Sequence, residues 1–70
     1  MKKSELIQNL KDRIAHNEQE VARHERKHGE HVARNPKMIC SIDSEMADWH
    51  RGKIVAFTLA MKMVKELEVA

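Results

Sequence analysis

The 70-residue sequence lacks most of the features that stabilise very small proteins, since it contains a single cysteine, Cys40, and no tyrosine. One thiol excludes an intrachain disulfide, and this cysteine usage is typical of a reducing cytoplasm. No apolar run is long enough for a membrane span or a signal peptide, so we expect a cytoplasmic protein without membrane contact. A chain this short buries little apolar area alone, which favours help from a partner subunit or a metal.

Glycine, proline and aromatic residues are also scarce, with two glycines, one proline and 3% aromatics. Methionine, alanine, leucine, lysine and glutamate dominate instead, which is the composition of a helical bundle and not of a sheet. From Ser4, a candidate N-cap, the chain runs without proline until Asn35-Pro36, where a helix is expected to end. The candidate N-caps of a second helix are Ser41, Asp43 and Ser44.

These signals predict an all-α fold, a two-helix antiparallel hairpin. We place the first helix at about residues 4–33, the connector at about 34–43 and the second helix at about 44–68. Two helices of similar length joined by a short connector pack side by side, so residues 1–70 are expected to form one helical-hairpin domain.

The first helix carries one narrow apolar stripe with heptad spacing, in which polar residues take over towards the connector. One such seam suits one neighbouring helix. Asn17 within it is either a buried residue that fixes the pairing register or an exposed one. The two rows of the seam are Ile7, Ile14, Val21, His28 and Leu10, Asn17, His24, His31.

The second helix is apolar over a much wider arc than one neighbouring helix can cover. A monomer that left this surface exposed would be prone to association. We therefore predict a homodimer in which two hairpins form a four-helix bundle. The residues assigned to the core or to the dimer contact are Ala56, Phe57, Leu59, Ala60, Met61, Met63, Val64 and Leu67.

Histidine offers the most chemistry in this sequence, since five occur. His24 and His28, with Glu25 between them, match the spacing of zinc proteases. Proteolysis also needs a third ligand, a substrate cleft and groups that stabilise an oxyanion. The chain has neither a sheet nor enough residues to build the cleft, so we predict no enzymatic activity and no cofactor. A metal site without catalysis is one alternative, with His24, His28 and His31 as ligands. Antiparallel folding would bring Cys40, Asp43 and Glu45 to the same end. The same residues can instead be polar filler, or a protonation-sensitive end of the bundle.

Basic residues cluster where the first helix meets the connector, although the net charge of the chain is only +2. Such a patch can bind phosphates, but base recognition would need a recognition helix or aromatic platforms. Nucleic acid is therefore the second choice of partner, after a protein. A solvated face with ion pairs from Glu30 to Arg26 and Arg34 is the plain alternative. The predicted interaction residues are Arg23, Arg26, Lys27, His31, Arg34, Lys37, Trp49 and His50.

Trp49 and Gly52 stand out near the start of the second helix. Trp49 is expected either to cap the core or to anchor a partner. Gly52 costs about 1 kcal/mol relative to alanine within a helix, which indicates a close helix approach beside the tryptophan. The segment around them is Asp48-Trp49-His50-Arg51-Gly52-Lys53-Ile54-Val55-Ala56-Phe57.

In this segment and in its size, the chain resembles the small early open reading frames in the exo-xis region of lambda-like temperate phages. The specific part covers about the last third of the chain and supplies no site residues. The resemblance implies a non-enzymatic accessory protein, made early in infection in the host cytoplasm. Such a protein influences host replication or the lysis-lysogeny decision by binding another macromolecule. The residues alone favour the same class, an interaction or regulatory protein, with nucleic-acid binding or metal binding as alternatives.

Overall fold

A computed structural model of the chain describes residues 2–67, which form two α-helices and a short connector. Helix α1 spans Lys3–Arg34 and helix α2 spans Ile42–Glu66. No strand occurs within residues 2–67, so the all-helical prediction is confirmed. The predicted helix ends lie within two residues of those observed, apart from Glu68, which falls outside the described residues.

Helix α1 begins without a side-chain cap and ends at the proline. Its N-cap is Lys2, whose side chain makes no capping hydrogen bond, so the predicted cap at Ser4 is wrong. At the other end, the Asn35 backbone N–H donates to the His31 carbonyl at 2.9 Å. Pro36 follows directly and has no N–H with which to continue the helix.

Helix α2 begins with a reciprocal cap made by two serines. Ser41 Oγ accepts from the Ser44 N–H at 3.2 Å, and Ser44 Oγ accepts from the Ser41 N–H at 2.9 Å. This capping box starts the helix two residues earlier than predicted and uses Ser41 of the three candidate caps. It also places Asp43 in the first turn, where the helix dipole favours a carboxylate.

The two helices run antiparallel and form an elongated hairpin of 54 × 16 × 12 Å. Asn17 of α1 bonds His50 of α2, whereas His24, further along α1, bonds Asp43, further back along α2. All eight residues of the predicted α1 seam are buried or half-buried, which confirms that seam. Helix α2 faces it with the same alternation of three and four residues, through Asp43, Ala47, His50, Ile54, Phe57, Met61 and Val64.

Little apolar surface is buried within the chain. In the described part, Leu10 and Ala47 are the buried apolar residues. On the other side of α2, Val55, Leu59 and Met63 are 59%, 55% and 66% exposed. The residues predicted for the core or the dimer contact thus divide into two groups. Phe57, Ala60, Met61 and Val64 are half-buried, and Ala56, Leu59, Met63 and Leu67 are exposed.

Gly52 lies on the exposed side of α2. A Cβ atom added there would meet no atom within 4 Å, so packing against α1 does not require a glycine. The close helix approach expected beside Trp49 is therefore not made between α1 and α2. Neither of the described helices has the length and hydropathy needed to cross a membrane.

Candidate functional site

The helices are held together in their connector-proximal part by polar residues. Asn17, His24, Asp43 and His50 are only 4%, 7%, 8% and 7% exposed. We call these four residues the polar seam. They occupy the positions at which the heptad pattern would place apolar side chains, so hydrogen bonds must compensate for their loss of water. All buried side-chain nitrogen and oxygen atoms in the described part have a hydrogen-bond partner.

Asp43 anchors the end of the seam nearest the connector by accepting two hydrogen bonds from α1. Its Oδ1 lies 2.8 Å from His24 Nδ1, and its Oδ2 lies 3.0 Å from His31 Nε2. The hydrogen bond from His24 lowers the pKa of Asp43 below its ordinary value, with the bond from His31 acting in the same direction. An ionised carboxylate can only accept, so His24 carries its proton on Nδ1.

Asn17 orients His50 in the same way, two turns further along α1 from the connector. The Asn17 amide nitrogen donates to the Arg13 carbonyl at 2.7 Å, which turns its Oδ1 towards His50. His50 Nδ1 then donates to that oxygen at 2.7 Å. Burial lowers the pKa of His50 below 6.5, and the charge of Lys53 lowers it further. His50 is therefore held in its neutral form, with a lone pair on Nε2.

Glu20 and Arg23 border the polar seam on the surface of α1. The Arg23 guanidinium donates to Glu20 Oε2 at 2.7 and 3.1 Å, and this bonding lowers the pKa of Glu20. The His24 and His50 rings are stacked, with their centroids 5.7 Å apart and an interplanar angle of 17°. Glu20, His24 and His50 each bring one ligand atom within 4.8 Å of the others.

The structure separates the three histidines suggested from the sequence as metal ligands. His24 and His31 bond the two oxygens of Asp43, whereas His28 Nδ1 lies 2.8 Å from Ser41 Oγ at the start of α2. Within residues 2–67, the group of metal-binding side chains that comes together is instead Glu20, His24 and His50. The glutamate of the protease-like motif, Glu25, is exposed and pairs with Arg51.

The predicted interaction residues do not form one surface. His50 is buried in the polar seam, so its assignment to an exposed patch is wrong. Arg23 and His31 are engaged by Glu20 and Asp43. Trp49 does not cap the core; it is 54% exposed, with Lys53 Nζ 3.5 Å from its ring centroid. The remaining four cations are all exposed, and we call them the basic patch: Arg26, Lys27, Arg34 and Lys37.

Two parts of the site were missed in the sequence, namely the burial of Ala47 and His50 on α2 and the role of Glu20. The approach of Asp43 to the histidines of α1 was expected from antiparallel folding, and it is observed. Asp43, Ala47 and His50 continue the three-four spacing of the half-buried α2 residues, and that spacing could have identified them. Glu20 lies four residues before His24, hence on the same helical face. The open question about Asn17 is answered in favour of burial.

The fold and the site together define a helical hairpin with a hydrogen-bonded polar seam at one end and an exposed apolar face on α2. Comparisons of the chain with protein-family models, with curated proteins and with solved structures find no match.

Proposed function

We propose that this protein is a non-enzymatic interaction module, which pairs through α2 into a homodimeric four-helix bundle and binds a protein partner. The observation that carries the proposal is the apolar face formed by Val55, Leu59 and Met63, all more than half exposed in the single chain. They are spaced four residues apart, so they follow one side of α2. This face lies opposite the seam that contacts α1.

A second copy of the same chain is the occupant that fits this face. The three residues of this face carry no charge. In a two-fold symmetric contact the same face of both copies meets, and an uncharged apolar face can pack against itself in this way. An antiparallel contact centred on Leu59 would place Val55 against Met63 of the second copy. Gly52 and Ala56 are small and exposed on the same side, which would let the backbones of two α2 helices approach. A close approach of two α2 helices would then explain the glycine at position 52, which packing against α1 does not require.

Sedimentation equilibrium tests this arrangement, with a dimer of twice 8.2 kDa expected at micromolar concentration. Leu59→Glu should weaken the dimer about 100-fold or more, because a lost leucine contact and a buried unpaired carboxylate both oppose pairing. Thr58→Glu is the matched control, because this exposed neighbour lies off the apolar face. In a Cys40→Ser background, Leu59→Cys should also oxidise to a covalent dimer.

A wild-type protein that is monomeric at micromolar concentration, with the helix content of the hairpin, would contradict the proposed dimer. So would a Leu59→Glu variant that sediments like the wild type. Because Leu59 does not belong to the seam with α1, this substitution tests pairing without removing a contact between the two helices of the hairpin.

The basic patch supports nucleic acid as a second candidate for the partner. No ion pair to Arg26, Lys27 or Arg34 occurs within residues 2–67, so the alternative of a face with ion pairs from Glu30 to Arg26 and Arg34 is not observed there. These charges are thus free to contact phosphates, and a dimer would present two patches. We expect weak DNA binding that falls steeply as salt rises and disappears in an Arg26→Glu, Lys27→Glu variant. Sequence-specific binding at physiological salt would promote nucleic acid to first choice.

The setting that we propose, an early accessory role in temperate phage infection, is supported by the resemblance of the segment around Trp49 and Gly52. Expression of the chain in a bacterial host should then alter replication or the frequency of lysogeny. The Leu59→Glu variant should lose this effect if the homodimer is the active form, and Thr58→Glu should retain it.

A further inference from the structure

Three side chains with metal-binding chemistry converge between the helices, beside the polar seam. Glu20 and His24 come from adjacent turns of α1, and His50 comes from α2. Their ligand atoms lie within 4.8 Å of one another, and His24 Nε2 is 3.6 Å from Glu20 Oε2. Ligands of a tetrahedral zinc ion, with bonds of about 2.0–2.1 Å, are themselves about 3.3 Å apart. Small side-chain movements would therefore complete a coordination sphere.

Both histidines already carry their protons on the nitrogen that a metal would not need. His24 donates from Nδ1 to Asp43, and His50 donates from Nδ1 to Asn17. Each Nε2 is left with a lone pair. Arg23 provides an independent check, because its guanidinium has only donors and lies 3.3 Å from His24 Nε2, which must therefore accept.

This arrangement matches the second shell of metal sites in proteins. A metal-binding histidine commonly donates its other N–H to a carboxylate or carbonyl oxygen, which fixes the ring and its tautomer. Asp43 does so for His24, and the Asn17 amide oxygen does so for His50. Two buried partners thus hold both rings in the tautomer whose Nε2 can accept a metal ion.

We propose that Glu20, His24 and His50 form a binding site for a divalent transition-metal ion, zinc above all, that joins α1 to α2. Two imidazoles and one carboxylate suit zinc and disfavour magnesium and calcium, which prefer oxygen ligands throughout. The fourth position would be left to water. The Glu20 side chain is 23% exposed, so the site borders solvent at the surface of α1. The site lies within one chain and does not depend on the proposed dimer.

Arg23 is the built-in competitor for this site. Its guanidinium is bonded to the Glu20 carboxylate and lies beside His24 Nε2. It therefore occupies the negative charge of Glu20 and the lone pair of His24, both of which a metal ion would bind. The Arg23 side chain is 43% exposed, so it can swing into solvent when a metal ion binds. Removing its charge should raise the affinity for zinc, because no ion pair then has to be broken and no cation repels the metal.

Zinc titration of the full chain by calorimetry, with melting followed by circular dichroism, tests the site. We expect one Zn²⁺ per chain and a higher melting temperature, because a ligand that binds only the folded state stabilises it by mass action. Mg²⁺ should have no effect. Cobalt substitution should give the visible absorption of a tetrahedral site. Glu20→Gln and His50→Ala should each weaken zinc binding at least tenfold, whereas Arg23→Gln should strengthen it.

The matched control is His28→Ala, which removes a histidine of the alternative set one turn from His24. It should leave zinc affinity unchanged. If His28→Ala abolished binding while Glu20→Gln did not, the ligands would be the three histidines of α1 and the proposal would be wrong. Unchanged melting of the wild type in zinc would also overturn it. Glu20→Gln keeps the test valid should His50→Ala fail to fold, since glutamine can still accept from Arg23.

Discussion

The two ends of this hairpin are held together by different means. In the connector half, residues 17–34 and 42–52, the seam consists largely of hydrogen-bonded histidine, asparagine and aspartate. In the terminal half, residues 3–16 and 53–66, Leu10 is buried and its apolar neighbours on the seam are half-buried. There, the opposite side of α2 presents a second apolar face to solvent.

The difference shows where register is specified and where association is possible. Hydrogen bonds between Asn17 and His50, and between His24 and Asp43, are directional, and sliding either helix by one turn would leave buried polar groups unpaired. Apolar contacts in the terminal half are non-directional. The connector half therefore fixes the register of the two helices, while the terminal half leaves exposed the apolar surface through which we propose that a second copy binds.

The largest effect is expected from Asp43→Ala, which breaks the connector half at its anchor. His24 and His31 would both lose their acceptor, and the His24 N–H would be buried without a partner. We expect a larger fall in melting temperature from Asp43→Ala than from substitutions of Asn17, His50 or either glycine. Asp48→Ala is the control, because within residues 2–67 this exposed carboxylate bonds only Arg51, three residues on, and its loss should change stability by less than about 0.5 kcal/mol. Equal melting of the two variants would refute the anchoring role.

A smaller effect is expected from a double-mutant cycle on Asn17 and His50. Asn17→Leu leaves the His50 N–H without its acceptor and should cost about 1–3 kcal/mol. Replacing both residues by leucine should recover most of that loss, since a buried polar pair is often no more stable than an apolar one. The recovered variant should also be less specific in its helix pairing, visible as broadened amide resonances. Additive losses in urea melts would show that the pair is not coupled.

The sequence predicted the hairpin well and the site only in part, for a physical reason. The α1 seam has one apolar stripe, so its heptad spacing is visible through Ile7, Leu10 and Ile14. On α2, apolar residues of the exposed face are interspersed in the sequence with those of the seam. The spacing of the seam is therefore not visible in the sequence, and His50 is predicted as a surface residue. The partner of Asn17 lies 33 residues away and depends on register between the helices, which no local pattern encodes.

In protein kept metal-free with a chelator, acid should lower the free energy of unfolding before the carboxylates titrate. The loss should come from the connector half. Burial and Lys53 hold the folded-state pKa of His50 below 6.5, although Glu20 opposes this and His24 and His16 add to it. Above pH 6.5 both states are neutral, and as pH falls below 6.5 the unfolded state binds the proton first. Stability is therefore lost between pH 6.5 and the folded pKa.

Further loss is expected at lower pH, because the pKa of Asp43 is lowered from 3.8 and its stabilising ionisation is lost as pH falls through the folded value. Urea melts across this range check both steps. The variant with leucine at positions 17 and 50 should lack the first step and retain the second. A first step that survives in this variant would assign the proton to another histidine.

The smallest effect is expected from replacing a glycine by alanine. Comparing Gly29→Ala with Gly52→Ala tests whether a second copy packs against the exposed side of α2. Gly29 and Gly52 are both exposed, both within a helix, and both have room for a Cβ atom in the single chain. Alanine at either position should stabilise the helix by up to about 1 kcal/mol, or about 4–8 °C in melting temperature for a domain of this size. Gly29→Ala should deliver this gain at every protein concentration. Gly52→Ala should deliver it in dilute monomer but weaken the dimer, because the added methyl group would lie where a second α2 helix is expected. If both variants gained equally and dimerised as the wild type does, the second copy would not pack against Gly52, and the contact would have to be confined to the side of α2 nearer Leu59 and Met63.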